Sequence, residues 1–294
     1  MPWHRRIAII GAGRMGRWLA RFFSHEGIPI TVSDVNRDAL REVSEELDVS
    51  VLDNATAVRH ADSVLLAVPI DGFRSVVREI CPYLKPNQAV IDICSVKEAV
   101  VDIMHDYIKT GVALGTHPLF GPGAEKIEGQ GWVLTPTNGR ERKLARRVGR
   151  WLEEKGARVY FMSPREHDRL MSLTLAFPHF VGLVACDTLI RSGKFLEAKR
   201  FAGSTYKLLL TLAEAVASED ADHYGSIQMN LPEAQAFQKL FLESSKEWLD
   251  VVEKRDKSRF VGKMKRLKES LKKLDPDYSF SYDAMYQLVK KTGL

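Results

Sequence analysis

The 294-residue sequence predicts an α/β N-terminal domain with a doubly wound, mostly parallel sheet, followed by an all-α C-terminal domain. Through residue 161, short β-branched runs alternate with stretches of helical periodicity, as strand–helix–strand units require. The first of these runs, Ile7-Ala8-Ile9-Ile10, passes straight into Gly11-Ala12-Gly13-Arg14-Met15-Gly16, a G-x-G-x-x-G turn that opens a helix. After Phe161 the character changes. Ser163-Pro164-Arg165-Glu166 is a capping box with proline at the first helical position, and helical patterning then runs almost to the end. The chain exceeds a typical domain of roughly 100–150 residues, so two domains are expected, 1–162 and 163–294.

Strands are expected at Arg6–Ile10, Ile28–Val32, Ser63–Val68, Gln88–Ile93, Gly111–Thr116, Gly131–Thr135 and Arg158–Phe161. Helices fall between them at Arg14–His25, Arg37–Leu47, Gly72–Leu84, Lys97–Ile108 and Arg140–Glu154. In the C-terminal domain Pro164–Arg191, Leu196–Ser218, Pro232–Lys254 and Asp256–Leu274 carry apolar residues at three- and four-residue spacing. Long helices with such stripes bury them against one another or against a second subunit, which predicts a homodimer built on this domain.

The glycine turn is suited to a dinucleotide. Gly11 permits the tight turn, Gly13 admits the pyrophosphate to the backbone, and Gly16 lets the helix pack closely on the strand, with Arg14 and Met15 on the turn itself. A second strand-like run ends in Ser33-Asp34, about 20 residues on, where an acidic residue bonds the ribose hydroxyls. The charge of Asp34 repels a 2′-phosphate and favours NAD over NADP, although Arg37 stands near enough to receive one. Val68 and Pro69 close the next strand, either as a wall of the cofactor pocket or as a plain strand terminator.

In a doubly wound sheet, ligands sit at the carboxyl ends of the strands. Asp92-Ile93-Cys94-Ser95-Val96-Lys97 brings a hydroxyl, and with Lys97 an ammonium group, to that edge; Ser95 serves there as a helix cap or as a site residue. Gly115-Thr116-His117-Pro118-Leu119-Phe120-Gly121-Pro122 then places a histidine between a strand end and a proline-stiffened loop. A neutral imidazole there can take a proton during hydride transfer.

Composition sets outer bounds. Lys and Arg number 43 against 38 Asp and Glu, for a net charge of +5. The excess is concentrated between Lys254 and Lys273 but interleaved with acids and without an aromatic stacking platform, so no nucleic-acid partner is expected. Cys81, Cys94 and Cys186 have neither disulfide nor metal-ligand spacing, which predicts no metal site and fits a reducing cytoplasm. No apolar segment precedes the first strand, and no uninterrupted apolar run approaches the roughly 18 residues of a membrane span.

With Gly11-x-Gly13-x-x-Gly16, Asp92-x-x-Ser95-Val96-Lys97 and Gly115-Thr116-His117-Pro118-x-Phe120-Gly121-Pro122 in this order, the chain resembles the prephenate dehydrogenase family, which includes arogenate dehydrogenases. Glu166-His167-Asp168, Pro178-His179 and Asp220-x-x-x-Tyr224-x-x-Ile227-Gln228-Met229-x-x-Pro232-Glu233-Ala234 extend the resemblance over nearly the whole chain. It implies NAD-dependent oxidative decarboxylation of prephenate to 4-hydroxyphenylpyruvate, on the way to tyrosine, with arogenate as the alternative substrate. His117 matches the acceptor of the ring hydroxyl proton and Ser95 the serine that holds it in line. Arg200 resembles the arginine that grips a substrate carboxylate in one branch, whereas other members place an arginine in the following helix, where this chain has Ala215. His179 matches a pocket residue, and His167 is read as structural, just inside the capping box. A β-hydroxyacid dehydrogenase would need a lysine in the helix Leu170–His179, which has none, and a non-catalytic NAD sensor would not need both Ser95 and His117.

Overall fold

A computed structural model describes residues 3–292. The chain forms two compact units, one running through Met171 and including Gly225–Leu231, the other comprising Ser172–Tyr224 and the chain from Pro232 onward. The first unit holds β1 (Ile7–Ile10), α1 (Arg14–His25), β2 (Ile30–Ser33), α2 (Arg37–Leu47), β3 (Ser50–Val51), α3 (Asn54–His60), β4 (Ser63–Leu66), α4 (Ile70–Ile80), β5 (Ala89–Asp92), α5 (Glu98–Tyr107), β6 (Val112–Pro118), β7 (Gly131–Thr135), α6 (Gly139–Glu154), β8 (Arg158–Phe161) and α7 (Pro164–Met171). The eight strands form one sheet in the order β3-β2-β1-β4-β5-β6-β7-β8. All pairings are parallel except β6 with β7. The expected doubly wound, mostly parallel α/β architecture is what forms.

The alternation of side chains along a strand explains why the central strands read as unbroken apolar runs. Ile7 and Ile9 of β1 enter a core on one face of the sheet with Leu65, Ile91 and Leu114, while Ala8 and Ile10 enter a second core on the other face with Val64, Leu66 and Val90. Both faces are covered, so neither needs polar residues. Between β1 and β4 the strand order reverses, and the glycine turn after β1 stands at that switch point.

Several elements differ from the sequence expectation. The two-residue β3 is too short to leave a period-2 signature, and α3 is seven residues long and rests on its cap, the Asp53 carboxylate accepting from Thr56 N at 3.0 Å. The helix expected at Gly72–Leu84 begins at Ile70, directly after Pro69 as its N-cap, and tightens into a 3₁₀ turn at Cys81–Tyr83, which contains Pro82.

The second unit is helical: α8 (Phe177–Arg191), α9 (Phe195–Arg200), α10 (Ser204–Ala217), α12 (Ala234–Glu253), α13 (Lys257–Leu274) and α14 (Ser281–Thr292), with α11 (Ala221–Asn230) bridging the division of the chain. The helix expected at Leu196–Ser218 is broken before Gly203, which becomes the N-cap of α10, and α11 and α14 add to the helices expected from the sequence. Pro164–Arg191 is one helical run with a π-helical segment at Ser172–Ala176. That segment precedes Pro178, whose ring excludes a regular backbone bond. By length and composition this run is apolar enough to cross a membrane, an 18-residue window within it having a mean hydropathy of 1.6, although Pro178, His179 and Asp187 interrupt the run.

One buried ion pair joins the ends of β5 and β6. Asp92 and Lys97 are both wholly buried, and the Lys97 ammonium meets Asp92 Oδ2 and donates to the Thr116 carbonyl at 2.7 Å. The Asp92 carboxylate also accepts from Cys94 N at 2.9 Å and Thr116 N at 3.2 Å, while Thr116 Oγ1 donates to the Asp92 carbonyl at 2.6 Å. Burial pushes the Asp92 carboxyl up, and the Lys97 ammonium pulls it back most strongly, followed by the two N–H donors. Lys97→Met would strand this carboxylate without its cation, a change that costs about 3–5 kcal/mol in comparable buried pairs. We expect a clear fall in the thermal midpoint by calorimetry; an unaltered midpoint would show that the pair does not hold these strand ends.

Candidate active site

The glycine turn is built for close approach. Gly11 has φ +110°, and a Cβ there would run into the Ala67 carbonyl, while a Cβ on Gly16 would strike the Gly11 carbonyl oxygen. Gly13, by contrast, faces open space. It caps α1 without a side-chain bond, and the first turn of α1 carries no acid, so its N–H groups and positive dipole end suit an anion. Arg14 is exposed and Met15 half-buried against the core. Asp34 follows β2, and its carboxylate accepts from Ala12 N at 2.5 Å and Asn36 N at 2.8 Å, which sets it against the turn. Arg37 opens α2 and is exposed. Val68 is half-buried and Pro69 exposed after β4. These residues fit a dinucleotide: a pyrophosphate at Gly13 and the start of α1, ribose hydroxyls at Asp34.

At the same sheet edge the loop from β5 to α5 carries Ser95, half-buried. Lys97 departs from expectation. Its ammonium is turned inward onto Asp92 and offers no charge to a ligand, because a cation beside a buried carboxylate is held there. Burial also pushes the Cys94 thiol far up, which leaves it protonated and unreactive.

His117 lies near the end of β6, 6% exposed, paired in register with Val133 of β7. Its Nδ1 stands 2.9 Å from Nε2 of His167, with the two rings edge to face. His167 Nδ1 in turn lies 2.7 Å from Asp168 Oδ1. Asp168 accepts from Lys97 N at 2.7 Å and Glu98 N at 2.8 Å and so caps α5, whose own N-cap, Lys97, makes no capping bond with its side chain. His167 does sit inside the capping box by its backbone: Glu166 N donates to Ser163 Oγ at 3.2 Å and His167 N to the Ser163 carbonyl at 3.0 Å. Its ring goes further and meets His117. The adjacency of His167 and Asp168 was visible in sequence, whereas their encounter with a residue 50 positions away was not.

The two residues expected to bind substrate both belong to the second unit. His179, on α8, packs against Tyr224 with ring centroids 4.3 Å apart and the rings tilted by 49°, has a buried Nδ1 without a hydrogen-bond partner, and has its basicity lowered chiefly by burial. Arg200 ends α9 and is exposed; Ala215, on α10, is exposed as well. Among the described residues no group of three or more His, Cys, Asp or Glu side chains is placed to hold a metal ion.

The chain is similar to known proteins along most of its length. Residues 19–161 match the family model of the prephenate dehydrogenase nucleotide-binding domain, and residues 163–266 match that of the prephenate dehydrogenase dimerization domain. A probable arogenate/prephenate dehydrogenase of Methanocaldococcus jannaschii is 29% identical over 88% of this chain, which spans 59% of that relative's length. A cyclohexadienyl dehydrogenase of Zymomonas mobilis is 25% identical, with 93% of this chain and 91% of the relative aligned. Among solved structures, prephenate dehydrogenase from A. aeolicus in complex with hydroxyphenyl propionate and NAD+ superposes with a TM-score of 0.76 at 24% identity, over 92% of this chain and 98% of that one. Synechocystis arogenate dehydrogenase gives 0.69 at 17% identity, over 92% and 99%. With both domain models matched in order along its sequence and the same fold throughout, the chain belongs to the prephenate dehydrogenase family.

Proposed function

We propose that this chain catalyses the NAD-dependent oxidative decarboxylation of prephenate to 4-hydroxyphenylpyruvate in the cytoplasm, on the route to tyrosine. The observation that carries the reading is His117, buried at the ligand edge of the sheet and fixed by a second histidine, with Ser95 after β5 and the dinucleotide turn after β1, both at the carboxyl ends of parallel strands. Arogenate is the second reading; the M. jannaschii relative is named for both substrates.

Bound at the glycine turn, NAD supplies the hydride acceptor. The chain supplies placement and proton handling. As the hydride leaves the ring carbon that bears the hydroxyl, the hydroxyl proton must leave with it, and His117 receives it. His117 Nδ1 is taken by His167, so Nε2 is the receiving atom. Ser95 orients the hydroxyl by hydrogen bonding. The bond between ring and carboxylate then breaks, carbon dioxide departs, and the electron pair aromatises the ring, whose oxygen takes a proton back. Arg200 pairs with a substrate carboxylate and His179 lines the substrate pocket.

We infer a nucleotide-binding domain at 1–162 and a helical substrate and dimerisation domain at 163–294. Leu183, Val184, Ile190, Leu196 and Phe201 of the second unit are exposed, Phe201 at 81%. Apolar side chains in such number on one helical unit mark an interface, and a second copy of the chain is the occupant named by the matched dimerization model. Light scattering at micromolar concentration should give twice the 33.2 kDa chain mass; the mass of a monomer would refute the dimer.

Initial-rate assays with prephenate and arogenate, each against NAD and NADP, test the activity. Turnover is expected with prephenate and NAD. Faster turnover with arogenate would move the substrate assignment to arogenate, and none with either, from folded protein that binds NAD, would refute the reading.

A further inference from the structure

We propose that His167 and Asp168 are positioning residues that fix the tautomer of His117, holding its proton on Nδ1 and its lone pair on Nε2. The inference rests on the reading of His117 as the proton acceptor and adds a cause for its competence.

The assignment follows from the chain of donors and acceptors. Both oxygens of Asp168 accept backbone N–H bonds from the start of α5, where a carboxylate is also favoured by the helix dipole. Oδ1 therefore faces His167 Nδ1 as an acceptor, and His167 Nδ1 must carry a hydrogen. A neutral His167 then has its lone pair on Nε2. His117 Nδ1, 2.9 Å away, has to be the donor of that contact. The remaining nitrogen of His117, Nε2, is left with a lone pair, the form a general base requires.

The alternative, a protonated His167, would donate from both nitrogens and force the hydrogen of His117 onto Nε2, the wrong form. The surroundings oppose it. His167 is fully buried, and burial lowers its basicity more than the contact with Asp168 raises it; among the other charged groups that face it, Lys97 lowers it further and Asp92 raises it. Once His117 has accepted a proton, the resulting imidazolium keeps its Nδ1–H on the neutral ring of His167, which Asp168 polarises. The positive charge is thereby met by an acceptor in a buried site.

The same geometry ties the acceptor to the loop that carries Ser95. Asp168 holds the backbone of Lys97 and Glu98, two and three residues beyond Ser95, while its partner His167 holds His117. A displacement of the dyad therefore moves both groups that the proposed chemistry uses.

Nitrogen-15 NMR of the histidine rings in the full-length protein, together with kinetics, tests this on three chains. In the unsubstituted protein His117 should carry hydrogen on Nδ1. His167→Leu removes the acceptor and should shift His117 towards the Nε2–H form, with kcat falling about 10²-fold or more and KM for prephenate changing less than about threefold. His167→Gln presents an amide oxygen near the position of Nε2 and should restore the Nδ1–H form and much of kcat. An Nε2–H tautomer in the unsubstituted protein, or an unmoved tautomer and kcat in His167→Leu, would overturn the proposal. The ring spectrum is read without turnover, so a protein inactive on prephenate and arogenate but with the expected tautomer would refute the activity alone. If His167→Leu does not fold, the tautomer of the unsubstituted protein and the behaviour of His167→Gln still decide.

Discussion

The buried pair of Asp92 and Lys97 is the constraint on which the site depends. A carboxylate and an ammonium group placed among apolar cores must be matched and fully hydrogen-bonded, and here the Lys97 ammonium, two backbone N–H groups and the Thr116 carbonyl complete the set. The pair ties the end of β5 to the end of β6, so the loop with Ser95 and the strand with His117 start from one fixed point. Gly115, in register with Asp92, has no room for a Cβ against Thr135 of β7 and Val101 of α5, so β6 packs closely on both beside the pair. A cation held in this way is unavailable to substrate.

From this point the site is extended by backbone rather than by side-chain reach. Lys97 and Glu98 offer their N–H groups to Asp168, Asp168 holds His167, and His167 holds His117. A helix start that lacks its own cap is thus completed by a residue about 70 positions away, and the capping carboxylate also orients a histidine. The dinucleotide turn is independent of this network. It rests on Gly11 and Gly16 packing against Ala67 and each other, at the switch point after β1, with β4 between it and β5.

Sequence made legible whatever is local and periodic. The apolar runs of β1, β4 and β5 announce a sheet covered on both faces, the glycine turn and Asp34 announce a nucleotide site, and the proline-stiffened loop after His117 places that residue at the ligand edge. It left illegible whatever depends on a long-range encounter. His167 sits beside Asp168 in the chain, yet its ring is turned by a contact with β6; Lys97 follows Ser95 closely, yet burial turns its charge inward. The short β3 and α3 escaped because two and seven residues carry little periodicity. The break before Gly203 escaped because the apolar spacing continues across it.

The role of His117 as acceptor of the hydroxyl proton is read out by the pH dependence of kcat with prephenate and NAD. A base must be unprotonated to act, so kcat should fall as the pH drops, along a limb with the slope of one proton. In His117→Asn that limb should vanish and the remaining rate should lie about 10²–10⁴-fold lower. The same limb in the variant, or an undiminished rate, would contradict this role.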